Sequence, residues 1–222
     1  MKKRRSFVAA LAGIVVAVFA TANAALADDA TAYKQLSGAW WQWILSIPIS
    51  ENPLLDATGE TCMVGQQGTN WFLAGNSGGD STRNCSIPEG VTLFFPVINS
   101  VAFDTPNLCG QGDPIPASEY RTMAAQFIDG ATHLSVQLDN LPFGPMHRVQ
   151  SKVFAVALPD DNLFAFCLPA GIYSPAVDDG IYVRLEHLAV GAHTLIIHAE
   201  NPSAAFLLDV TYNLNVVPVV SK

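Results

Sequence analysis

Histidine and carboxylate side chains carry most of the proton-transfer and metal-ligating chemistry open to this chain, which has five His and 19 Asp+Glu. A metal site of the cupin type needs a close His-x-His pair with a nearby Glu. The nearest approach is His198 with Glu200, two apart and therefore on one face of a strand. His133 would join them only if a second strand lay alongside. Solvated or locally bonded histidines are the simpler expectation, so no metal is expected. His193 follows Gly191 and is expected to pin that corner.

Among the acids, Glu60, Asp104 and Asp113 sit in loop-like stretches flanked by aromatic residues. With His147 they are the candidate acid or base groups for hydrolysis of an extracellular polymer. Turn and cap roles compete at each position. Ser77, in Gly75-Asn-Ser-Gly-Gly79, lacks the spacing of a nucleophile elbow. The stretch from Gly75 to Cys85 reads as a glycine-rich loop without the GK[ST] ending of a phosphate loop, and no cofactor is expected.

A third chemistry is aromatic. The segment Ser37 to Pro48, SGAWWQWILSIP, places three tryptophans in four positions. At 100° per residue Tyr33, Leu36, Trp40, Trp43, Ile44 and Ile47 share one stripe of a helix over Ala30–Ile47, so Trp40 and Trp43 are expected in the core. Trp41 falls on the flank. Together with Trp71 and Tyr173 it is the candidate binding surface, because an indole or phenol face pairs with the C–H face of a sugar ring. Phe94 and Phe95 are adjacent on a strand and must point to opposite faces.

The first residues read MKKRRSFVAALAGIVVAVFATANAALADD: a basic start, an apolar run from Phe7 to Ala20 and an Ala25-Leu26-Ala27 cleavage site. This is the pattern of a signal peptide over 1–27, too short for a transmembrane span. Arg4-Arg5 followed by Ser6, Phe7 and Val8 fits a twin-arginine leader as well as an ordinary one. The expected location is periplasmic or secreted. Loss of the leader's four cations leaves seven Lys+Arg against 19 Asp+Glu, a net charge near −12. Nucleic acid and anionic lipid are poor partners for such a surface, and export removes ATP and NAD from reach.

Four cysteines in an exported chain imply two disulfides, with three possible pairings. Cys62–Cys85 and Cys109–Cys167 is the expected pairing, because the first bridge then brackets one glycine-rich excursion. A catalytic cysteine is disfavoured for the same reason.

The elements that must position these residues are mostly strands. Thr69–Gly75 and Val91–Ser100 are apolar and β-branched, and Pro96 marks a bulge or an edge. Pro116–Asp129 has helical spacing of Tyr120, Met123, Ala124 and Phe127, with Gly130 as its stop. Strands are then expected at His133–Leu138, Val149–Leu158, Leu163–Cys167, Ile181–Leu185 and Thr194–Glu200, with Pro159–Asn162 and Asp178-Asp179-Gly180 as turns. Phe206 to Val217 alternates apolar and polar without a break. The whole reads as one domain over 28–222: an antiparallel β-sandwich, jelly-roll-like, with an N-terminal helix and one inserted helix.

Glu60-Thr-Cys62-x-x-Gly65-Gln66, Trp71-Phe-Leu-Ala-Gly75, Arg83-x-Cys85, Ile87-Pro88-x-Gly90 and Phe94-Phe95-Pro96 resemble exported bacterial proteins of a hypothetical β-rich family. Gly191-x-His193-x-Leu195 and Asp209-Val-Thr-Tyr212 are similar to the family's C-terminal strands. The resemblance implies export and a β-rich fold, and it transfers no activity. No catalytic motif stands out, so the leading expectation is a non-catalytic binding protein for an extracellular glycan or protein partner. A small hydrolase is the alternative.

Overall fold

The structure, a computed structural model, describes residues 12–219, with side-chain packing from Asp29 onward. Arg4 and Arg5 lie outside the described residues. Helix α1 (Ala12–Ser46) runs through Ala25–Ala27 without a break and ends two residues before Pro48, whose missing N–H cannot continue it. Tyr33, Trp40, Trp43, Ile44 and Ile47 are buried along its predicted stripe, and Leu45 joins them. Among the described residues no helix is long and apolar enough to cross a membrane.

Two five-stranded sheets follow. The first contains β1 (Asn70–Phe72), β3 (Thr92–Phe103), β6 (His147–Gln150), β7 (Phe154–Leu158) and β8 (Gly171–Leu185), with β3 between β1 and β8. The second runs β2 (Gly79–Pro88), β10 (Phe206–Val217), β9 (Gly191–Asn201), β4 (Thr132–Leu138) and β5 (Leu141–Pro142). Most neighbours are antiparallel, but β1–β3 and β2–β10 pair in parallel, so the alternation of Phe206–Val217 fixes its half-burial without fixing the sense of both neighbours. Helix α2 (Ala117–Asp129) packs on β3 and β8, with Tyr120, Ala124 and Ile128 buried. Met123, expected on the buried stripe, is exposed.

Three layers result. Phe95, Val97, Val183 and Leu185 of the first sheet meet Leu195, Ile197, Val210 and Leu214 of the second in the inter-sheet core. On the other face of the first sheet, Phe94, Val149, Val156, Ala176 and Tyr182 pack beneath α1. The adjacent phenylalanines thus serve two different cores, as the strand period requires.

Several expected elements differ. Gly79–Pro88 is a strand, leaving only Gly75 to Gly78 of the expected loop outside it, because Arg83, Cys85 and Ile87 alternate inward. Val149–Leu158 is two strands divided at Ser151-Lys152-Val153, and Leu163–Cys167 is a turn segment. Asp178-Asp179-Gly180 is no turn: it lies in the middle of β8, the longest strand, with both carboxylates buried. The disulfides are Cys62–Cys85 and Cys109–Cys167. On the chain-entropy model bridges of such separation stabilise by roughly 3–4 kcal/mol each.

Candidate functional site

The four acid–base candidates do not converge. Asp104 is buried and staples the loop before α2, accepting hydrogen bonds from Gln111 Nε2 (2.6 Å) and the Ile115 N–H (3.0 Å), with the Tyr120 hydroxyl 3.0 Å away. Burial works to raise its pKa, but those three donors outweigh burial and hold it below the ordinary range. Tyr120 is pushed up to about 12 by burial and by its contact with Asp104. Asp113 is exposed in the same loop, and its carbonyl accepts from Gln111. Glu60 is exposed in a turn that Asp56 organises, with Asp56 accepting from the N–H groups of Thr58, Gly59 and Thr61. His147 lies at the edge of the first sheet against Tyr33, with ring centroids 4.7 Å apart.

His133, His198 and Glu200 do come together, on the outer face of the second sheet. His133 Nδ1 is 3.0 Å from Glu200, while His198 contacts Asp209 (2.7 Å) through Nδ1 and Glu200 (3.3 Å) through Nε2. The imidazoles are engaged by carboxylates instead of pointing at a shared centre. Among the described residues no group of three or more such side chains is arranged to hold a metal ion.

The aromatic candidates separate as well. Tyr173 is 8% exposed, with its hydroxyl donating to the Pro169 carbonyl and its ring near Phe103. Trp71 is half-buried against the inter-sheet core and donates to the Gly68 carbonyl at 3.1 Å. Trp41 alone of the three lines an enclosed pocket of about 180 Å³. Trp41 is half-buried, whereas Trp40 and Trp43 are 1% and 7% exposed.

This pocket opens where α1, β3 and the loop before β2 meet. Trp41, Phe127 and Phe206 supply aromatic walls, and Asn76, Ser77 and Asn99 supply polar ones. The bulge between Pro96 and Ile98 resets the pleat of β3 just before Asn99, a use of bulges common beside functional sites. Gly180, paired across from Asn99, leaves the space required. A Cβ there would sit 2.6 Å from the Tyr182 ring and 2.7 Å from Asn99 Cβ.

One buried carboxyl holds both kinds of wall. Asp178 Oδ1 accepts from the Trp41 indole N–H at 2.7 Å and from the Tyr182 hydroxyl at 2.7 Å. Tyr182 in turn accepts from Asn99 Nδ2 at 3.1 Å. Burial, opposed by these donors, raises the Asp178 pKa to about 7, with Asp179 adding to the rise. Asp178 Oδ2 and Ser37 Oγ are both buried without a hydrogen bond. A proton on this carboxyl removes the charge that burial penalises. Asp179, on the opposite face of the strand, binds Arg148 through both oxygens (3.0 and 3.1 Å). Arg148 extends that link to Asp129 at the end of α2 (2.7 Å).

None of Asp178, Tyr182 and Asn99 was evident as a site residue from sequence. The available signal was the absence of room for a reversal: β-branched and aromatic residues flank Asp178-Asp179 closely on both sides. No protein-family model, curated protein or solved structure matches the chain.

Proposed function

We propose that this is an exported, non-catalytic binding protein that takes a single neutral sugar residue of an extracellular glycan into the pocket beside Trp41. The observation that carries this reading is the shared anchoring of an aromatic face and an amide by the buried Asp178. A pocket that encloses one sugar ring uses both surfaces, an apolar face for the C–H side of the ring and fixed amides or hydroxyls for its edge. Holding them rigid before the ligand arrives lowers the entropy cost of binding. The pocket volume of about 180 Å³ suits one ring, not a chain. The acidic surface favours a neutral ligand over a polyanionic one.

Calorimetric titration and a glycan array on the processed chain test this. Trp41→Ala is expected to weaken sugar binding at least tenfold and to cost about 1–3 kcal/mol, because Asp178 loses the indole donor, while the chain still folds. A Trp41→Ala protein that unfolds makes the ring scaffold and overturns the assignment. So does turnover in a parallel hydrolase panel, abolished by substitution at Glu60, Asp104, Asp113 or His147.

Export rests on the leader pattern, and the two disulfides fit an oxidising compartment. N-terminal sequencing of the secreted chain is expected to begin at Asp28, and retention of Met1 contradicts it. Arg4-Arg5→Lys-Lys retains the chain inside only if the leader uses the twin-arginine route.

A further inference from the structure

The outer face of the second sheet carries an unusual ladder. Strands β2 and β10 run parallel in an unbroken register that sets Asp80 beside Asp209, Thr82 beside Thr211, Asn84 beside Asn213 and Ser86 beside Asn215. All eight point away from the inter-sheet core, where Arg83, Cys85, Ile87, Val210, Tyr212 and Leu214 are buried. In three of these four pairs identical residues therefore face each other across strands about 4.8 Å apart.

A polar outer face by itself needs only solubility, and threonine would serve that best. Asparagine is among the residues depleted in strands, yet Asn84, Asn213 and Asn215 hold mid-strand positions here. Those three, with Ser86 and Thr194, line a shallow depression of about 430 Å³ over the far end of β2, β10 and β9. Its rim is His193 with Asp139. The His193 ring meets an acceptor at each nitrogen, Asp139 Oδ2 at 2.7 Å and the Ala189 carbonyl at 2.9 Å. Asp139 also accepts from the Thr194 N–H at 2.9 Å. An imidazolium satisfies both contacts, and its charge cancels that of Asp139.

Asn213 Nδ2 donates to Asn84 Oδ1 at 3.1 Å. That bond consumes one donor and one acceptor, leaving the Asn84 amide N–H₂, one Asn213 N–H and the Asn213 carbonyl oxygen on the exposed face for a ligand. A vicinal pair of hydroxyls, one accepting and one donating, matches that arrangement. The depression is shallow, with no enclosing aromatic wall, so it suits a chain lying across the sheet.

We propose that this depression is a second binding site, for a neutral oligosaccharide chain, with Asn84, Asn213 and Asn215 as its principal hydrogen-bonding residues. It shares no residue with the pocket beside Trp41 and does not depend on how that pocket is used. Asn213 lies five residues beyond the pocket-lining Leu208 on the same strand, about 17 Å away and on the opposite face.

The test is a titration of the isotopically labelled processed chain with cellohexaose, maltohexaose and chitohexaose, following the side-chain amide resonances of the three asparagines. All three are expected to shift with at least one hexaose, and to do so equally in Trp41→Ala protein. Asn213→Thr, a better strand former, is expected to weaken that response at least tenfold with an unfolding midpoint equal to or above the parent's. Ser86→Ala, on the neighbouring strand, carries the same expectation for binding should the first variant misfold. Unmoved amide resonances with every hexaose, or parental affinity in either folded variant, overturns the proposal. Loss of the response in Trp41→Ala alone overturns it too, because the two sites would then be one.

Discussion

Asp178→Asn is expected to leave the protein about as stable as the parent near pH 4.5 and to make it more stable near pH 8.5, by an amount on the order of 3 kcal/mol. The parent's carboxyl is raised from its ordinary 3.8 to about 7 by burial. Its native state therefore holds a proton that the unfolded chain has released. The contribution is complete below the unfolded value and is lost progressively as pH rises through the folded one. Asparagine keeps an acceptor for the Trp41 N–H and the Tyr182 hydroxyl. It has no charge to bury, so its contribution stays flat across the window.

Other groups bend the curve in both proteins alike. His193 and His198 are raised chiefly by hydrogen bonds to Asp139 and Asp209, so their contributions also fade as pH rises through their folded values. Asp104 and Asp139 are lowered, so theirs fail as pH drops below the ordinary carboxylate range. The difference between parent and variant isolates Asp178 from all of these. Denaturant unfolding at the two pH values measures it. An equal gap between the proteins at both pH values contradicts a neutral buried acid.

Trp40→Ala is expected to cost about 3–5 kcal/mol, the range for deleting a large aromatic from a close-packed core. Trp40 is 1% exposed, and its ring meets Trp41 at 4.9 Å and Trp43 at 6.0 Å, both edge-on. Its indole N–H donates to the Leu73 carbonyl at 2.9 Å, a buried acceptor that the substitution would leave unpaired. The cavity would also remove the support beneath Trp41, so sugar affinity is expected to fall as a secondary effect. A chevron or denaturant titration gives the figure. A loss under about 1 kcal/mol would place this ring outside the core energetics, well short of the cost of a truncated core aromatic. Trp41→Ala, on a half-buried ring, is expected to cost less than Trp40→Ala, and that difference separates the two neighbouring indoles.

Local pattern carried much of the fold. Helical spacing placed Trp40 and Trp43 inside and Trp41 at the flank, because a helix buries only the stripe that faces its partner. The period of two along Phe206–Val217 assigned every inward residue of that strand. Turn chemistry was less faithful. Aspartate and glycine side by side favour reversals, so Asp178-Asp179-Gly180 reads as a turn until its partners are known. Each acid is sheltered there by groups remote in sequence, Asp178 by Trp41 and Asp179 by Arg148. Short-range propensity yields to such contacts because a buried carboxyl is tolerable only where donors already wait for it.

By itself the sequence determined the β-rich class, the helical seat of the tryptophans, the presence of cysteines enough for two disulfides and the acidic surface. Each of these depends on composition or on periodicity along one element. Tertiary structure alone decided which strands lie side by side, and hence the pairing of Asn84 with Asn213, of His198 with Asp209, and of Gly180 with Asn99. It also decided that residues 137 apart, Trp41 and Asp178, share one hydrogen bond. Strand order is set by the joint burial of two sheets and a helix, a sum over many long-range contacts, so no single segment of this chain encodes it.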